Sequence, residues 1–131
     1  MKRSALQDLL TANGYHGTIL KGYLEAMLFT SSDDDGMHLD LNYDISSISE
    51  KRVESSLSEI NLFCKLVAEN NIDLGDYSPQ YLGRDFWFTR NREGSGFGDG
   101  YYPENIGKIL IMISRHFPEV NVFVGKDGEI E

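Results

Sequence analysis

The residues best suited to chemistry crowd the run D-F-W-F-T-R-N-R-E-G-S-G-F-G-D at positions 85–99. It holds three carboxylates, Asp85, Glu93 and Asp99, two guanidinium groups, Arg90 and Arg92, and the only tryptophan, Trp87, with Arg84 just before it. Guanidinium groups beside Trp87 and Phe97 can clamp a carboxylate or phosphate, or stack a base. The competing reading is structural: Arg90 pairs with Asp85 or Asp99 to brace a turn, and Trp87 enters the core. Acid–base catalysis would need Asp85, Arg90, Asp99 and His116 to converge on one pocket.

Established catalytic and metal templates do not fit. His16, His38 and His116 lack any metal-ligand spacing, and neither a G-x-S-x-G elbow nor a G-x-x-x-x-G-K-[ST] loop occurs. Asp33-Asp34-Asp35-Gly36 suggests calcium, but aligned on its glycine an EF-hand loop would run from Ser31 to Asn42 and lack both terminal carboxylates. The expectation is no metal, no cofactor and, on balance, no enzyme. Cys64 is the only cysteine, so no internal disulfide can form, which fits a reducing cytoplasm. No secretory leader or membrane-length apolar run is apparent.

The formal charge of −9 is local. Residues 25–76 contain 12 acids against 3 bases, and the rest of the chain is balanced. A field of that sign disfavours direct nucleic-acid or membrane binding and favours a basic protein partner. The candidate partner-binding carboxylates are Asp33, Asp34, Asp35, Asp40, Asp44, Glu50, Glu54 and Glu59. Arrayed together they would imitate a row of phosphates, the feature that DNA-binding grooves neutralise with Lys and Arg.

The elements that position these groups follow from periodicity. At 131 residues the chain predicts one domain, 1–131. Ser4 with Gln7 reads as a capping box for a short helix ended by Asn13-Gly14, and Thr18 as the cap of a second helix, 19–30. Residues 31–47 form a polar loop in which Leu39, Leu41 and Tyr43 alternate as a short edge strand would. Ser47 and Glu50 read as a capping box for a helix over 49–70, with Val53, Leu57, Ile60, Cys64 and Val67 as its inward stripe. Ser78-Pro79 opens one helical turn closed by Gly83. Residues 86–90 then read as a strand, 91–94 as a turn and 95–99 as the return strand, which would put Gly94, Gly96, Gly98 and Gly100 on one bare face. Trp87 would cover that face. A last helix starts at Pro103, and Val120, Val122 and Val124 alternate before a Lys126-Asp127-Gly128 turn to a strand at Ile130. The predicted class is α+β, with N-terminal helices on a small antiparallel sheet of two hairpins separated by a helix.

The motif residues Asp85, Phe86, Trp87, Thr89, Arg90, Asn91, Gly94, Gly96, Phe97 and Asp99 resemble a family of small, mostly uncharacterised proteins of bacteriophages and other mobile elements. Its pattern is close to D-F-W-x-T-R-N-x-x-G-x-G-F-x-D. Gly22–Ala26 (G-Y-L-E-A) and Val124–Gly128 (V-G-x-D-G) are similar as well. Arg84 stands where that family carries His, and Gly98 where a bulkier residue is usual. The resemblance implies a phage-like origin and action in the bacterial cytoplasm, without an activity. Three functions compete: an accessory protein, such as an inhibitor of host defence or of a DNA enzyme, that binds another protein through its acidic half; a module using the hairpin to hold a nucleotide, single strand or carboxylate; and a small enzyme.

Overall fold

Five α-helices carry the fold of residues 1–131 in the computed structural model: α1 (Arg3–Ala12), α2 (Gly14–Thr30), α3 (Glu50–Glu69), α4 (Pro79–Arg90) and α5 (Glu104–Ser114). Helix α3 forms where the apolar period is clearest, burying Val53, Ile60 and Val67 fully and Leu57 and Cys64 in part. Its cap is Ser49, whose Oγ accepts the Arg52 N–H at 3.1 Å. Ser47 serves the preceding turn instead, where its hydroxyl accepts the Asp44 N–H at 3.2 Å. Ser4 lies inside α1, which has no side-chain cap, and Thr18 lies inside α2, which starts at Gly14.

Helix α2 is the central element, and Ile19, Leu20, Tyr23, Leu24, Ala26, Met27 and Leu28 are all buried. It lies directly against α4 because each helix offers a glycine at the crossing. A Cβ on Gly22 would sit 2.0 Å from the Gln80 carbonyl oxygen, and one on Gly83 would sit 1.9 Å from that of Ile19. Gly83 is therefore a packing residue within α4, where a helix stop was expected. All 25 buried hydrophobic residues join one cluster, so a single core holds every helix. Phe86 of α4 stacks on Phe63 of α3 with ring centroids 4.4 Å apart, and each buried ring contributes about 1.5–3 kcal/mol.

The structure overturns the α+β prediction, since the fold is helical and has no sheet. Residues 86–90 form the last turns of α4. As a helix, the segment puts Leu82, Phe86 and Arg90 on one face with Trp87 beside them, all in the core. Residues 94–100 are a looped turn around a short 3₁₀ segment, Gly96–Gly98. Gly94, Gly96 and Gly100 take φ of +63°, +47° and +94°, so the glycines do not line one face of a ribbon. The buried glycine of this turn, Gly96, is covered by Thr89, where Trp87 was expected. The second hairpin is reduced to single bridges, Val124 with Ile130 and Ile130 with Ile48. The expected edge strand is a 3₁₀ turn, Leu39–Leu41, that buries Leu39 and exposes Leu41. No helix is long and apolar enough to cross a membrane.

Candidate functional site

Asp85, Thr89 and Arg90 of the 85–99 motif are buried in the fold, whereas Arg92, Glu93, Ser95 and Asp99 are exposed. Arg90 is fully buried, and its guanidinium donates from Nε and Nη2 to the Pro118 carbonyl at 3.1 and 2.7 Å. Nη1 donates to the Tyr23 hydroxyl at 3.1 Å, and Nη2 also to Glu59 at 2.9 Å. The rings of Phe86 and Phe117 lie 5.5 and 5.3 Å from its central carbon. Arg90 thus ties α2, α3, α4 and the segment after α5 together. Its partner is Glu59 rather than Asp85 or Asp99. Burial drives the Tyr23 hydroxyl up to about 12 against the pull of Arg90, so it stays a neutral hydrogen-bonding group.

The neighbouring residues do the same work. The Trp87 indole N–H donates to Thr30 Oγ1 at 2.7 Å, joining α4 to the end of α2. Thr89 Oγ1 accepts the Phe97 N–H at 3.1 Å, and Phe97 packs on Phe63 and Tyr102. Asn91 donates to the Trp87 carbonyl and accepts the Val120 N–H at 2.7 Å. A Cβ on Gly96 would lie 2.2 Å from Thr89 Oγ1, so glycine is needed there for space as well as for its positive φ. No buried side-chain nitrogen or oxygen in the molecule lacks a hydrogen-bond partner.

Asp85 and Asp99 converge, on Arg84. Asp85 is buried, accepts from the Tyr102 hydroxyl at 2.7 Å and from Arg84 Nε at 3.1 Å, while Asp99 lies 3.9 Å from Arg84 Nη2. Burial raises the Asp85 carboxyl above its ordinary range, against the opposing pull of Tyr102 and Arg84. Burial and the Asp85 charge likewise push the Tyr102 phenol upward. The Arg90 guanidinium is taken up by Tyr23, Glu59 and Pro118, and His116 is exposed beyond α5, so neither joins Asp85 and Asp99 in the expected catalytic constellation.

The acidic residues divide. Asp44 pairs with Arg3 and Glu59 with Arg90; no other carboxylate in 25–76 is ion-paired. Asp33 accepts the N–H groups of Asp35 and Met37 and shapes a turn. No group of three or more His, Cys, Asp or Glu side chains is placed to hold a metal ion. Glu50, Glu54 and Glu59 do not form one face, because at about 100° per residue Glu59 points roughly 140° away from Glu54. Asp34, Asp35, Asp40, Glu50 and Glu54 remain exposed.

Two adjoining hollows of about 450 and 480 Å³ follow the exposed edge of α2 and share Glu25 and Phe29. Tyr81, Arg84 and Phe88 of α4 wall the first, and Asp40, Tyr43 and Asp44 wall the second. The Arg84 guanidinium lies over the Tyr81 ring, 4.3 Å from its centroid. Sequence reasoning noted Arg84 as a cation of the motif but missed Tyr81 and Phe88, which flank it on the same helix. Their spacing of three and four from Arg84 was the available signal, hidden once 86–90 was read as a strand. Comparison with protein-family models, curated proteins and solved structures found no match to the chain.

Proposed function

We propose that this chain is a non-catalytic, phage-type accessory protein that acts in the bacterial cytoplasm by binding another protein through its acidic surface. The observation that carries this reading is the division of polar groups between two regions. Asp85, Trp87, Thr89, Arg90 and Phe97 of the motif are buried within the fold, while Asp34, Asp35, Asp40, Glu50 and Glu54 are exposed and free of ion pairs. The hairpin-ligand alternative loses its principal cation, because Arg90 is buried and saturated by Tyr23, Glu59 and Pro118. A phosphate-like row is disfavoured by the divergent directions of Glu54 and Glu59, so the patch suits a basic protein surface better than a DNA-binding groove.

Affinity capture from bacterial lysate tests the reading. The wild-type chain should retain a partner that elutes with salt and survives nuclease treatment. The Asp34→Lys/Asp35→Lys/Glu54→Lys variant should lose it while keeping the wild-type melt. Undiminished capture by that variant, or capture abolished by nuclease, would contradict the proposal.

A further inference from the structure

The groove along α2 has the attributes of a seat for one kind of segment. Most of the apolar surface of α2 is buried, yet Phe29 is 59% exposed, and across the first hollow Tyr81 is 46% exposed. Exposed aromatic rings in a concave site, bordered by charged groups, are typical of protein-binding surfaces. From Lys21 to Phe29 the helix edge runs about 12 Å, the length of two helical turns or of three to four extended residues.

The charge around the groove narrows the occupant. Arg84 is paired with Asp85 beneath it, and Asp44 with Arg3. Lys21 then stands against Glu25 and Asp40, and the acidic turn at Asp33–Asp35 follows in the chain. The balance is negative. Anionic headgroups and nucleic acid are repelled, and a second copy of this chain would bring the same acids against the same rim. We propose that the groove binds a Lys/Arg-rich segment of a partner protein that places one large apolar side chain in the hollow shared by Phe29 and Tyr81. This rests on the acidic-surface reading and assigns it a site.

Fluorescence anisotropy with two labelled synthetic peptides of equal positive charge separates the two claims. One alternates Lys and Ser; the other carries a single central Trp in place of Ser. The Trp peptide should bind the wild-type chain about tenfold more tightly. Phe29→Ser and, independently, Tyr81→Ser should erase that advantage and leave the Lys/Ser peptide unaffected, with both variants melting like the wild type. Asp40→Lys should weaken both peptides. Equal affinities for the two peptides, or a Trp advantage that survives both groove variants, would overturn the groove and leave the acidic-surface reading standing. Binding of neither peptide would overturn both. A dimer seen by sedimentation and lost in Phe29→Ser, or Phe29-dependent binding to phosphatidylglycerol vesicles, would assign the groove to another occupant and overturn the proposal.

Discussion

Asp85 and Asp35 carry the same side chain and have opposite surroundings. Asp85 is buried between Tyr102 and Arg84, whereas Asp35 is exposed on a turn without an ion-pair partner. The contrast extends to their regions. Between Arg84 and Tyr102, Asp85, Trp87, Thr89 and Arg90 are buried and hydrogen-bonded within the fold, and between Asp33 and Glu54 most of the carboxylates face solvent. A conspicuous motif can therefore record what a fold requires, while the exposed carboxylates of a plain acidic run are left unpaired.

The same contrast appears in proton affinity. Burial raises the Asp85 carboxyl, while at Asp44 the Ser46 hydroxyl, assisted by the Ser46 N–H and Arg3, lowers it. The linked effects on stability have opposite signs. The native state holds the Asp85 proton more tightly than the unfolded chain, so this residue's contribution falls as pH rises from 3.8 to its native value. Asp44 contributes above 3.8 and loses its contribution as pH falls through its lowered native value.

The largest expected break in the comparison is Arg90→Ala. It leaves Glu59, Tyr23 and Pro118 without their donor, and equilibrium denaturation should show a loss of about 3–5 kcal/mol. Gly96→Ala should cost about 1–3 kcal/mol, since it puts a Cβ into Thr89 at a left-handed backbone position. In a pH series of unfolding free energies, wild type should lose stability relative to Asp85→Asn as pH rises above 3.8, then run parallel to it. A flat difference throughout would mean that Asp85 is not perturbed by burial. At the small end, Asp34→Lys/Asp35→Lys should move stability by no more than about 0.5 kcal/mol.

Legibility in the sequence followed the same division. Helix α3 was readable because its apolar stripe and the polar Asn70-Asn71 at its end agree, although its cap is Ser49 where Ser47 was expected. Helix α4 was misread because Phe86, Trp87, Phe88 and Thr89 favour strands locally and Gly83 imitates a stop. Its tertiary partner decided otherwise: Gly83 allows α2 to approach, and only a helix turns Leu82, Phe86, Trp87 and Arg90 inward together. The Val120–Val124 alternation is real in the sequence, but the segment has only a single bridge to Ile130 and forms no sheet. The acidic region was visible as composition. Its separation into paired Glu59 and Asp44 and unpaired neighbours was not, because both depend on cations distant in sequence, Arg90 and Arg3.

Equilibrium denaturation of Arg90→Ala beside Asp34→Lys/Asp35→Lys/Glu54→Lys tests the division of labour most directly. The former should unfold several kcal/mol more easily than wild type, and the acidic-surface variant should match wild type. Wild-type stability in Arg90→Ala would contradict the structural role given to the motif and return it to consideration as a binding site.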